Sequence, residues 1–324
     1  MTRQIWAVAL NTFTESIRQP VFVVLLLGTL FFLALNPAIC TFTFDPEDDQ
    51  KLLIELGLST MFVAGLLLAA FSATGVVARE IETQTVLTVV SKPVGRPTFV
   101  LGKYLGVAAA LGVAYGCWSL GFLLSVRHGV LPTAVDPYDA PVLVFGLGAL
   151  AAALLVALWG NYYYRWVFAS ALAALLTPLL GCAYALILFV DKEWHIQPPS
   201  TNWNVQLGVA LLMLFEALAV LCAVALAASI RLKLVMTVLL CAGVFLLGLS
   251  SDYLFGAGAE QGHLWASLCY RLVPNLGYLW QSEALFLGRE IGFEHCAWVS
   301  SYVVLYIAGL LSLAMALFQT REVG

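Results

Sequence analysis

A polar segment at residues 79–103 separates two long apolar runs, residues 52–78 and 104–126. Each run is long enough to cross the ~30 Å hydrocarbon core of a bilayer as a helix. The segment between them is too polar for hydrocarbon, where each unmet charge or backbone group costs several kcal/mol. It holds four of the fifteen basic residues, and basic residues in short loops mark the cytoplasmic side. The pattern predicts a cytoplasmic loop at which a soluble partner could bind.

The other apolar runs predict an all-α, polytopic membrane protein. The chain is 62% hydrophobic and 10% charged, whereas soluble domains are about 25% charged. Eight spans are predicted, at residues 21–36, 52–78, 104–126, 141–160, 166–190, 205–230, 233–252 and 296–318. The run 141–160 could instead form a shallow or re-entrant hairpin with its neighbour. With the N-terminus inside, basic residues are more numerous on the cytoplasmic side, so both termini are predicted to be cytoplasmic.

Residues 1–19 predict a helix that does not span the membrane. Apolar residues such as Trp6 and Phe13 recur at helical spacing, while Glu15 and Arg18 fall largely on the other side. Such a helix can lie along the membrane surface, and Pro20 permits a bend into the first span. Periodicity alone favours an interfacial anchor. The alternative is a lever that pairs with residues 79–103 to receive a cytoplasmic partner.

The segment 79–103 itself predicts a short helix. Glu80 and Glu82 suit a first turn because acids complement the helix dipole there. Pro93 and Pro97 should end the helix, since the residue before a proline is pushed away from helical geometry. A short helix held between two spans can pass a push from a bound protein into both. An ordinary solvated loop is the alternative.

The stretch Ser91–Gly106 reads SKPVGRPTFVLGKYLG, and it is accompanied by residues 9–13, 246–252 (LLGLSSD), 272–276 (LVPNL) and 318–323. Together these stretches resemble the ABC-2 type permeases. The resemblance covers about residues 1–130 and 203–324. It implies a transmembrane subunit of an ATP-binding-cassette transporter of the export type, usually with six spans, in the cell inner (cytoplasmic) membrane.

The resemblance also implies partners and a contact site. In such proteins the opening helix and the first cytoplasmic loop contact the nucleotide-binding subunit. The candidate contact residues here are Glu80, Glu82, Thr85, Leu87, Lys92, Pro93, Arg96 and Lys103 in the loop, with Trp6, Phe13, Glu15 and Arg18 in the opening helix. The other expected partners are a second permease subunit, identical or not, and the lipid bilayer. No nucleic-acid partner is expected.

The chain has no ATP site recognisable from its sequence. No GxxxxGK[ST] motif is present, so ATP and Mg are expected on the partner subunit and not on this chain. The seven cysteines show no metal-ligand spacing, so no metal is expected either. We therefore expect a transport subunit and not an enzyme.

Two regions depart from a plain six-span core. The stretch 115–202 is longer than the family usually needs between its third and fourth spans. Residues 135–202 are therefore interpreted as an inserted hairpin with its two helices in 141–190, and peripheral packing is favoured over gating or substrate selection. Residues 253–295 are interpreted as short helices at the extracytoplasmic interface, where they could cap an exit path or simply anchor. Residues 1–324 are otherwise expected to form a single transmembrane domain.

Glu216 is the only carboxylate near the middle of a predicted span. It is a possible pathway residue or proton-sensitive switch; a hydrogen bond to a serine, threonine or tyrosine on another helix is the favoured alternative.

Three functions remain open from sequence. They are a permease, a membrane anchor that relays ATPase motion to an extracytoplasmic process, and an intramembrane lipid-modifying enzyme, which no paired carboxylates support.

Overall fold

A computed structural model of the chain describes residues 2–41, 46–82, 95–131, 138–199 and 203–319, and this part is almost entirely helical. The α-helices are α1 (Thr2–Ile17), α2 (Pro20–Ile39), α3 (Pro46–Glu82), α4 (Arg96–His128), α5 (Ala140–Tyr164), α6 (Phe168–Leu188), α7 (Val205–Ser229), α8 (Leu234–Leu249), α9 (Ala257–Glu260), α10 (Leu264–Leu272), α11 (Ser282–Phe286) and α12 (Phe293–Gln319). A π-helix at Asp252–Gly256 precedes α9, and a short 3-10 helix occupies Gly277–Leu279. Within these ranges the one β feature is an isolated bridge between Val190 and Ile196.

Seven helices in the described ranges are long and apolar enough to cross a membrane, which confirms the all-α polytopic fold. They are α2 to α7 and α12. The remaining predicted span, 233–252, corresponds to α8, whose 16 residues form a helix only about 24 Å long. Together with the segment Asp252–Glu260, bent from it by 62°, α8 forms either one broken span or a re-entrant loop. The count is therefore seven, or eight if the bent pair crosses.

The structure corrects two predicted helix boundaries beside the cytoplasmic segment. Glu80 and Glu82 do not begin a separate helix, because α3 runs without a break from Pro46 to Glu82. Pro97 does not end a helix but lies in the first turn of α4. A proline fits there because the first helical N–H groups have no intrahelical partner to lose.

The chain divides into two compact units, of which the first comprises residues 1–16, 65–110 and 206–324. Its most buried element is α7, an apolar helix with buried residues on every side. Gly65 of α3 approaches the side chain of Leu218 on α7 so closely that a Cβ would overlap it. From α4, the Tyr104 hydroxyl donates to the Ala219 carbonyl at 3.3 Å. Helix α7 is therefore the packing centre of this unit.

The second unit comprises residues 17–64 and 111–205. Trp118 of α4 is fully buried, and its Nε1 donates to the Leu26 carbonyl of α2 at 3.2 Å. In α6, the Thr177 hydroxyl lies 3.1 Å from the Cys117 sulfur of α4. The pair α5–α6 is thus packed on the helices of its own unit. Helix α5 is 25 residues long, so the run 141–160 forms a full-length helix.

Candidate functional site: the α1–α4 contact and the residues around it

Helix α1 packs against the beginning of α4 through two glycines. A Cβ built on Gly102 would lie 2.7 Å from the Cβ of Val8 and 3.1 Å from the Ile5 carbonyl oxygen. A Cβ on Gly106 would lie only 2.6 Å from the Ala9 carbonyl oxygen. Both glycines belong to the GKYLG end of the family-like stretch. Small residues spaced in this way let two helix backbones approach closely, as they do in membrane helix pairs.

The side of α1 that faces protein is small and polar. Thr12 and Ser16 are fully buried and Ala9 is nearly so, whereas Trp6 is 71% exposed and Leu10 about half exposed. The exposed apolar residues suit lipid or the headgroup region, as the periodicity predicts. Among the other predicted residues of this helix and its end, Phe13 and Glu15 are half-buried and Arg18 is exposed. Helix α1 contacts the helix that follows the predicted loop, and its roles as an interfacial anchor or as a lever both stay predictions.

Two of the predicted loop residues are described with their side chains. Arg96, the first residue of α4, is exposed. Lys103 is only 1% exposed, and its ammonium lies 5.4 Å from the centre of the Phe99 ring, which in turn stacks on Phe318. A cation over an aromatic face is attracted by the ring quadrupole. Lys103 is therefore placed to hold the beginning of α4 in the fold rather than to present its charge to a soluble partner.

The remaining predicted loop residues fall outside the described side chains. Glu80 and Glu82 belong to the last turns of α3, of which only the backbone is described. Thr85, Leu87, Lys92 and Pro93 lie between the described ranges that end at 82 and begin again at 95.

Glu216 makes the hydrogen bond that sequence reasoning favoured. The Ser300 hydroxyl of α12 donates to Glu216 Oε1 at 2.6 Å, which joins α12 to the middle of α7. The second carboxylate oxygen, Oε2, is buried and has no hydrogen-bond partner in the described part of the chain. A carboxylate at this depth has to face protein or water. The bond to Ser300 accounts for one of its two oxygens.

Two family-like stretches that are far apart in sequence meet in the first unit. The Leu276 N–H donates to the Gly248 carbonyl at 3.1 Å, and a Cβ on Gly248 would lie 2.6 Å from the Pro274 oxygen. The Asn275 amide donates to Asp252 Oδ1 at 2.7 Å. LLGLSSD and LVPNL therefore form one structural feature. The sequence analysis identifies both stretches but not the contact between them. The only signal for that contact in the sequence was Gly248 and Asp252 in one stretch and the Pro274-Asn275 pair in the other.

A tyrosine cluster extends this feature. Tyr270 donates its hydroxyl to Asp252 Oδ1 at 2.7 Å and lies 3.1 Å from the Tyr278 hydroxyl. Hydrogen bonding to Tyr278, and then to Asp252, raises the pKa of Tyr270 above its usual value. In the pair of tyrosines, either hydroxyl can be the donor. On α12, the Tyr302 hydroxyl accepts from the Asn275 N–H at 3.0 Å, which ties the cluster to that helix.

Asn275→Ala should destabilise this part of the fold by about 2 kcal/mol, because the side chain is almost fully buried and two of its hydrogen bonds are lost. The measurement is the thermal unfolding midpoint of the purified protein in detergent. Gln281→Ala is the control, since that amide lies in the same segment but makes solvent-exposed bonds; its effect should stay within about 0.5 kcal/mol. Equal midpoints for the two variants would contradict the role of Asn275.

The fold and these contacts define a multi-pass, all-α membrane protein with an N-terminal helix packed on the beginning of α4. Residues 6–159, from α1 through most of α5, match the family model described as ABC-2 family transporter protein. A comparison with curated proteins gives no match. The match supports the resemblance to ABC-2 type permeases over these residues; members of this family are membrane components of ABC transporters and work with an ATP-binding subunit. The match continues into α5, the first helix of the predicted insertion.

Proposed function

We propose that this permease is an exporter subunit of the cell inner membrane that shares its translocation pathway with a second permease copy. A separate ATP-binding subunit supplies the energy by binding α1 and residues 79–103 from the cytoplasm, where both termini lie. The observation that carries this proposal is the backbone-close packing of α1 on Gly102 and Gly106. A load placed on α1 reaches α4 directly, because at these two glycines α4 places no side chain between the two helices.

The lengths of α3 and α4 support this position for the partner. Helix α4 begins at Arg96, eight residues before its apolar run starts at Tyr104, so about 12 Å of helix precedes the predicted span. Helix α3 likewise continues past its apolar run to Glu82. Rigid helical ends that project from the hydrocarbon can transmit a displacement without bending. The segment that joins α3 and α4 is therefore a suitable place for a soluble ATPase to bind.

Glu216 is the proposed polar point on the pathway. Its Oε1 is fixed by Ser300, while Oε2 remains without a partner in the described part of the chain. An oxygen of this kind can accept a hydrogen bond from a passing polar group or carry a proton. This role is separate from the coupling proposal and does not support it.

Glu82→Lys tests the coupling proposal. We expect the variant to insert into membranes normally but to recover at least about tenfold less ATPase on purification from native membranes, because a misplaced charge at an interface costs more than 1.4 kcal/mol. Glu283→Lys is the matched control, since it reverses an exposed acid in the segment predicted to lie on the opposite side. Equal ATPase recovery with both variants would contradict the proposal.

A further experiment separates a pump from a relay. Liposomes that contain the permease and its ATPase should hydrolyse ATP faster when the transported compound is present. Hydrolysis that never responds to any transported compound, with ATPase association intact, would favour a subunit that only relays motion.

A further inference from the structure

A cavity of about 490 Å³ lies in the second unit between α2, α4 and α5, with Leu180 of α6 at its side. Its volume falls within the roughly 300–1,000 Å³ of small-molecule sites. Most of the wall is apolar, and Leu30, Leu124, Leu147 and Leu150 form much of it. Leu143 and Leu147 are themselves 38% and 55% exposed. The cavity is therefore open sideways, toward the surface that these spans present to the bilayer.

The polar groups of the cavity gather at one end. They are Thr41, Ser125, His128 and Tyr138, which lie at or just beyond the ends of α2 and α4 and just before the start of α5. Ser125 is 6% exposed, and its hydroxyl has no hydrogen-bond partner in the described part of the chain. An unpaired polar group is costly to bury, so native structures usually provide it with a partner. A ligand oxygen at this end would complete the site.

The depth of the cavity matches one leaflet. Its wall runs along α2 from Leu30 to Ala38, about 12 Å of helix, and continues to Thr41 just beyond the end of that helix. Along α5 it runs from Val142 to Leu150, about 12 Å. Half of the ~30 Å hydrocarbon core is about 15 Å. The polar end therefore lies at the level of the headgroups and ester carbonyls, and the apolar end near the middle of the bilayer.

The geometry points to a binding site for one acyl chain of a bilayer lipid. The chain lies along Gly146 and Leu150, and its ester oxygen accepts a hydrogen bond from the Ser125 hydroxyl. The lipid belongs to the leaflet opposite residues 79–95, which is the outer leaflet in the proposed orientation. The site goes beyond the proposed function, because it needs only a chain folded in the membrane and no ATPase.

Gly146→Phe tests the site by filling it. A Cβ on Gly146 would sit 3.4 Å from Leu124, so a phenyl group would occupy the space beside that wall, whereas Gly148 on the same helix faces open space and gives Gly148→Phe as the control. The probe is a phosphatidylethanolamine with a diazirine near the end of one acyl chain, in nanodiscs that hold the permease alone. Light should attach it to peptides that contain Leu124 or Leu150 in the wild type and the control. In Gly146→Phe the labelling of those peptides should fall at least about tenfold.

Labelling that is spread evenly over exposed apolar positions such as Val156 and Leu158, and that is equal in both variants, would overturn the proposal, because it would mean annular lipid only. Ser125→Ala provides a second test, which adds no bulk and therefore keeps the fold. During delipidation of the detergent-solubilised protein, this variant should lose its last lipid about fivefold faster than the wild type. Equal loss rates would also overturn the proposal. Neither assay contains the ATPase, so lipid binding and ATPase recovery can fail independently.

Discussion

Replacing Gly106 by alanine is expected to separate α1 from α4 and to destabilise the fold by about 1–3 kcal/mol. The added methyl group would lie 2.5 Å from the Thr12 Cβ and 2.6 Å from the Ala9 carbonyl oxygen, both closer than contact allows. The Thr12 Cβ and the Ala9 oxygen are fixed to the α1 backbone, so a rotamer change cannot relieve the overlap. Helix α1 must move as a whole. ATPase recovery should fall with it if α1 belongs to the proposed binding surface.

Gly116→Ala is the matched control, on the same helix, because nothing lies within 4 Å of a Cβ built there. Alanine is favoured over glycine within a helix by about 0.5–1 kcal/mol, so this variant should be more stable than the wild type. The two substitutions are chemically identical and should have opposite signs. Thermal unfolding in detergent and protease sensitivity of α1 measure the difference. Equal midpoints with α1 equally protected would contradict the packing of α1 on Gly106.

The membrane spans could be predicted from sequence because the bilayer itself imposes a length. A helix needs about 20 apolar residues to cross, and that requirement is visible in the runs that became α2 to α7 and α12. Helix ends outside the hydrocarbon carry no such constraint. The sequence therefore predicts Pro97 at the end of a helix, whereas it lies at the start of α4, and α8 is too short to cross the bilayer alone. A proline is compatible with either end of a helix, so composition could not decide.

The site could be located from sequence more readily than its contacts. Periodicity predicts α1, but Trp6 and Leu10 of its apolar stripe are exposed, while the small residues Ala9, Thr12 and Ser16 face protein. Between membrane helices, close approach depends on small residues, since lipid is as apolar as leucine. The sequence predicts the type of hydrogen-bond partner for Glu216, while the particular serine, Ser300, depends on how two distant spans align. The cavity between α2, α4 and α5 has no sequence signal of its own, because most of its lining residues are apolar like the rest of the spans.

Asp139→Ala is expected to destabilise the second unit by about 3–5 kcal/mol, the usual cost of breaking a buried ion pair. Asp139 is fully buried, lies 3.8 Å from the Arg127 guanidinium, and accepts a hydrogen bond from the Val142 N–H at the start of α5. Arg127 also donates to the Val190 carbonyl, just after α6. The pair therefore ties α4 to both ends of the α5–α6 hairpin. Alanine would remove the helix cap and leave a largely buried guanidinium short of one partner.

Asp191→Ala is the control that separates burial from charge. Asp191 lies 3.7 Å from the same guanidinium, but its side chain is 49% exposed. Water already solvates this carboxylate, so its removal should cost less than about 1 kcal/mol. Both variants delete one negative charge beside Arg127, and only the desolvated one should lower the unfolding midpoint strongly and increase hydrogen exchange in α5. Similar losses from the two variants would mean that net charge, and not the buried cap and ion pair, holds the hairpin in place.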